Sequence, residues 1–111
     1  MPKGSHLGDL EELTLLAVLG LGEQTDGGSI RTQLAERANR SVSVSTIYVT
    51  LMRLEEKGYA TSWKGEPTGG RGGKARRMYG VTAEGREALE AVRAVRSDMW
   101  REVDAEAVHG G

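Results

Sequence analysis

Two groups of side chains stand out for what they could do to a ligand. The first is the set of cations Lys64, Arg71, Lys74, Arg76 and Arg77, placed among glycines and, from residue 71 to 77, without a single acid. A surface that served stability alone would mix its signs. Like charges on a Gly-rich segment suit phosphates, along a backbone or in a minor groove. The second group lies just upstream: Ser43, Ser45, Thr46, Tyr48, Thr50 and Arg53. Short hydroxyls let a helix come close to base edges and can bond to bases or phosphates. Tyr48 reads either as half-buried core or as a phenol donating to a phosphate. Arg53 reads either as a phosphate contact or as the ion-pair partner of Glu56 or Glu36.

Catalytic chemistry finds much less support. There is no Cys, and the two His, His6 and His109, stand near opposite ends of the chain. Disulfides and Cys-rich zinc sites are therefore excluded, and no cofactor is implied. Carboxylates do not cluster in the basic region. The Gly-rich segment 65–73 lacks the Gly-Lys-Ser/Thr ending of a phosphate-binding loop that opens a helix.

Net charge argues for a polyanion partner only once it is resolved along the chain. Of the 111 residues, 1–30 carry −4, 31–77 carry +6 and 78–111 carry −3, which together give −1. A basic middle between acidic ends steers a phosphate polymer and gains from counterion release. No apolar run approaches the ~20 residues of a membrane span. No signal-peptide pattern opens the chain, so the expected compartment is the cytoplasm and no membrane partner is expected.

The elements that must carry these residues follow from periodicity. Asp9 to Leu21 (DLEELTLLAVLGL) reads as a central helix, with Leu13, Leu16, Ala17 and Leu19 inward and acids in its first turn. Gly22 to Gly28 is a turn. A second helix runs to about Ala38 from a cap at Gly28 or Ser29, with Ile30 and Leu34 as its apolar pair and Asn39 as its C-cap. A third helix follows Ser43, a good N-cap, and ends at Gly58. Val44, Ile47, Leu51 and Leu54 form its apolar stripe. Two helices, a short connection and a third hydroxyl-bearing helix make the helix-turn-helix order.

Beyond Gly58 the pattern becomes extended. Tyr59 to Lys64 and Lys74 to Val81 read as two strands joined by the Gly-rich loop, with Met78 and Val81 inward. A hairpin directly after a helix-turn-helix is a wing. Trp63 on its first strand reads as packing. Thr82 caps the last and longest helix, to about Ala107, with Val108 to Gly111 fraying. Leu89, Val92, Val95, Met99 and Val103 repeat at intervals of 3, 3, 4 and 4, flanked by Trp100. Such an arm has little left to pack on within its own chain, so its seam calls for a twin in a two-fold dimer.

Three strings at this spacing resemble the PadR family of bacterial transcriptional regulators. They are IYVTLMRLEEKG, the arginine-and-glycine wing ending at Tyr79, and the helix start VTAEGREAL; the resemblance covers Leu7 to Val103. It implies a mainly α chain with a small β-hairpin: a winged helix-turn-helix plus a long C-terminal dimerisation helix. The expected organisation is 1–6 as a disordered lead or tag remnant, 7–82 as the DNA-binding domain and 83–108 as the dimerisation helix. The single C-terminal helix marks the shorter branch of the family.

The resemblance also implies a homodimeric repressor on a pseudo-palindromic operator in double-stranded DNA. Tyr48 matches the family's helix-three tyrosine, Arg53 the arginine before its Leu-Glu-Glu run, and Arg71 and Lys74 its wing cations. Some relatives take a flat aromatic effector at the dimer centre, which places Leu16, Met99 and Trp100 there, although Trp100 reads first as dimer core. Where many relatives carry a tyrosine-glycine-tyrosine string, this chain has Asp26-Gly27-Gly28-Ser29, so a role resting on those aromatics does not carry over. The competing reading is a winged-helix interaction module that binds an acidic protein. Its basic wing and hydroxylated helix speak against that, because protein interfaces favour exposed apolar anchors.

Overall fold

The computed structural model describes residues 6–23, 25–67 and 75–110. Arg71 and Lys74, expected in the wing, lie outside those residues. The order is α1 (Asp9–Leu21), α2 (Gly27–Ala38), α3 (Val44–Glu56), β1 (Ala60–Pro67), β2 (Ala75–Val81) and α4 (Ala83–Gly110). The fold is mainly helical with one antiparallel hairpin, as the sequence implies.

The helix boundaries have local causes. Gly8 precedes α1, and its N–H donates to the Glu11 carboxylate at 2.8 Å, which satisfies an otherwise free first-turn group. Asn39 closes α2 in the left-handed conformation (φ 55°), as its short polar side chain allows. The expected cap of α2 at Gly28 or Ser29 is displaced to Asp26, whose Oδ1 accepts from the Ser29 hydroxyl at 2.7 Å. Ser43 caps α3 by accepting from the Thr46 N–H at 3.1 Å. Gly58 leaves α3 at φ 82°, a region that strains an L side chain. Thr82 Oγ1 accepts from the Gly85 N–H at 3.0 Å and opens α4.

Two apolar clusters hold the helices on the hairpin. One joins Ala17, Val18, Ile30, Leu34, Ile47, Leu51 and Tyr79; the other joins Leu7, Leu15, Leu54, Ala60 and Leu89. The stripe of α3 is therefore inward except at Val44, which is exposed because the chain has only just entered the helix there. On α1 the inward set is Thr14, Leu15, Ala17 and Val18, while Leu16 and Leu19 are exposed, contrary to expectation. A helix apolar over most of its circumference does not declare which side faces the core.

Ala60 pairs with Val81, Ser62 with Tyr79, Trp63 with Met78 and Lys64 with Arg77, and a bulge lies between Lys64 and Pro67. The hairpin reaches further than expected, to Pro67. A two-stranded ribbon has free edges that tolerate Gly65 and Pro67. Tyr79, rather than Met78, is the buried residue of β2. A third short segment borders β2: Asp26 bridges Met78, and the Tyr79 N–H donates to the buried Thr25 Oγ1 at 3.2 Å. The turn between α1 and α2 thereby fixes the root of the wing.

Candidate nucleic-acid interface

At about 100° per residue, Ser45, Val49 and Met52 fall opposite Ile47, Leu51 and Leu54 on α3. All three are exposed, with Val49 at 42% and Met52 at 54%. Thr46 and Arg53 flank this line on one side and Tyr48 on the other. Ser43, Ser45 and Thr46 form one hydroxyl cluster, with oxygen separations of 3.2 Å and 2.9 Å from Ser43. Part of the Ser43 oxygen is already engaged by the cap. Thr50 does not belong to the outward face. It is 5% exposed, and its hydroxyl donates to the Thr46 carbonyl at 2.8 Å, because it sits beside Leu51 on the inner half of the helix. The sequence pattern alone assigns no role to Val49 or Met52.

Arg53 is exposed and pairs with neither Glu56 nor Glu36 among the described residues. It contributes to holding the Glu11 carboxyl below its ordinary pKa. Burial opposes that shift; the Gly8 N–H and Lys57 outweigh it. Lys57 donates to Glu11 at 2.7 Å and to the His6 carbonyl at 2.6 Å, clamping the foot of α3 to the start of α1. Tyr48 is half-exposed and lies across Gly27; a Cβ there would come 2.7 Å from its hydroxyl oxygen. It also stands near Tyr79, whose phenol is pushed above its ordinary value by burial first and by Tyr48 second.

In the wing, Lys64 and Arg77 are direct cross-strand partners, both exposed. Like charges placed opposite each other weaken a hairpin. Alternation puts them on the face shared by Ser62, Tyr79 and Ala60, and Ser62 reaches α3 through a 2.8 Å hydrogen bond to Glu55. The two cations thus extend the helix-facing side of the wing beyond the core. Arg76 instead leans toward Asp26, at 3.8 Å. The Asp26 carboxyl is held below its ordinary value: burial opposes, and Ser29 and then Arg76 outweigh it. Trp63 lies over Gly80, where a Cβ would come 3.1 Å from the indole, and stays 48% exposed.

The expected dimer seam divides in two. Leu89 is buried in this chain's own core and is corrected from a partner contact to intrachain packing, while Val92 is half-buried against that core. Val95, Met99, Trp100 and Val103 remain 53–64% exposed. Leu16, Leu19, Leu89 and Trp100 line a cleft of about 210 Å³ between α1 and α4. Met99 lies on the adjoining ledge with Arg96, Trp100 and Val103. Among the described residues no group of His, Asp and Glu is placed to hold a metal ion, and no helix is long and apolar enough to cross a membrane.

Similarity to known proteins agrees with this geometry. The model of the transcriptional regulator PadR-like family matches residues 15–91. A PadR family transcription regulator from Clostridium difficile superposes with a TM-score of 0.63 at 24% identity, covering 91% of this chain and 98% of the other. A PadR-like transcriptional regulator from Bacillus cereus gives 0.67 at 23%, covering 86% and 88%. Bacillus subtilis PadR, in complex with operator DNA, gives 0.60 at 25%, covering 74% and 46%. No curated protein sequence matches significantly.

Proposed function

Since the chain belongs to the PadR-like family of transcriptional regulators, we propose that it is a repressor that binds a pseudo-palindromic DNA site as a homodimer. The observation that carries the reading is the Lys64–Arg77 pair on the helix-facing side of the wing, the next pair on that face beyond Ser62, which bonds to Glu55 of α3. Two exposed cations held opposite each other weaken the hairpin when it is alone; a polyanion laid across them turns that repulsion into binding. The hydroxyls of Ser45 and Thr46, with Tyr48 and Arg53, then enter the major groove and meet bases or phosphates. Bacillus subtilis PadR, with its operator, shares this fold.

The homodimer rests on α4. Its 28 residues span about 42 Å, and the domain covers only the first part of that length. Val95, Met99, Trp100 and Val103 then pack against a second copy, and two α3 helices about 34 Å apart read successive major grooves. A flat aromatic compound against Trp100, Leu16 and Met99 acts as the releasing effector. It would alter the pairing of the arms and so the spacing of the two reading helices.

The test is fluorescence anisotropy of the protein on the DNA upstream of its own gene and on a scrambled duplex, across a salt series. Preference for the upstream DNA with two chains per site supports the repressor. Equal, weak binding that vanishes at modest salt would sink it.

A further inference from the structure

We infer that Val49 and Met52 read the 5-methyl groups of thymine in the operator, so that the sequence preference of this protein is in part a preference for thymine over any base lacking that methyl. The inference deepens the DNA-binding reading above and rests on it. Its starting point is the makeup of the α3 outward face. The centre of that face is Ser45, Val49 and Met52, with Thr46 and Arg53 on one flank and Tyr48 on the other.

A single exposed apolar side chain is ordinary. Here two stand one helical turn apart on the line furthest from the core, among groups suited to phosphates. Val49 is also β-branched, at a solvent-facing position where Ala, Lys or Glu would favour the helix.

The surroundings narrow what these side chains can meet. A protein partner would call for a contiguous apolar centre. Around Val49 and Met52 the face is instead polar or charged, with Ser45, Thr46, Tyr48 and Arg53 and, one turn on, Glu56, and the wing adds Lys64 and Arg77. Across that electrostatic field the fitting partner is a phosphate-lined groove. On the floor of the major groove the only apolar group is the thymine methyl. Valine and methionine are also narrow enough for the helix to sit deep, as Ser45 is.

The experiment uses the full chain and a duplex it selects from a random-sequence library. Each thymidine in that duplex is replaced in turn by deoxyuridine, which removes the methyl and leaves the pairing intact. At one or two positions per half-site the affinity should fall about fourfold, as expected for one buried methyl. Val49→Ala and Met52→Ala, both at exposed positions, should each abolish the deoxyuridine penalty at one position while leaving the salt dependence unchanged. A selected sequence bound equally well with every thymidine replaced overturns the inference and leaves the DNA-binding reading standing. A library that yields no enriched sequence, with equal binding to all DNA, removes both.

Discussion

α3 and the outer part of α4 are built on similar sequence patterns and end in opposite conditions. Each carries apolar residues at helical spacing. On α3 the stripe Ile47, Leu51 and Leu54 is fully buried; on α4 the stripe Val95, Met99 and Val103 is more than half exposed. Spacing alone does not separate them. The difference is what the chain has left to cover each stripe. α3 sits between α1, α2 and the hairpin, whereas α4 runs past the domain after Val92, and the molecule measures 62 Å along its long axis against 34 and 21 Å across. An apolar seam is thus a statement about demand, and the tertiary arrangement decides whether it is met inside one chain.

Deleting the same kind of group from each stripe should have opposite consequences. Leu51→Ala removes a fully buried side chain and should destabilise the fold by about 2–5 kcal/mol, seen as a lowered midpoint in urea denaturation. Trp100→Ser with Met99→Ser should leave the intrinsic stability of the single chain nearly unchanged, because both are exposed in it. Sedimentation should show those chains as monomers at concentrations where the parent is dimeric, with dimer affinity reduced by two orders of magnitude or so. If the double serine variant remains dimeric, the exposed seam is not the interface.

Much of this contrast could be read in the sequence, and the parts that could not share a physical origin. The bounds of α1, the Ser43 cap, the αL Asn39 and the Gly58 exit are local features and agree with the structure. What sequence reading missed depends on contacts between distant segments. Asp26 takes the N-cap position of α2, and Gly27, just inside the helix, leaves the space that the Tyr48 ring crosses. Thr25 is buried to receive the Tyr79 N–H. Gly85 has no room for a side chain because the Tyr59 carbonyl stands where its Cβ would go. Leu16 and Leu19 were expected inside since α1 is apolar nearly all round, and only its neighbours choose the side. In the site, the wing cations were legible as a composition signal. The removal of Thr50 and the weight of Val49 and Met52 needed the helix to be placed against its core.

The wing differs from both stripes, since its exposed groups are charges rather than carbon. Lys64→Gln with Arg77→Gln should weaken binding to the upstream duplex at any sequence and reduce the slope of log K against log salt by about 2. The fold itself should be slightly stabilised, because a repulsive cross-strand pair is removed. Stability lost together with affinity would mean that these cations serve the hairpin and not a ligand. The pairing of those two readouts is the point, for the serine variants of α4 should leave the salt slope per chain unchanged.

The smallest expected effect tests how α3 is held from its far end. Glu11 accepts from Lys57 and from the Gly8 N–H, and Asp26 accepts from Ser29 with Arg76 nearby. Both carboxyls have folded pKa values below their ordinary ones, so the unfolded chain binds protons more readily than the folded one. Their contribution is therefore fully present above the ordinary carboxylate range, about 4, and is lost as pH falls through the lower folded values. The urea midpoint should be flat from neutral pH down to that range and then decline. Glu11→Gln should lower the plateau modestly and make the decline shallower. A decline unchanged by Glu11→Gln would mean that the foot of α3 is held by the apolar contacts of Leu54 alone, and that the Lys57 clamp is no more than a surface pair.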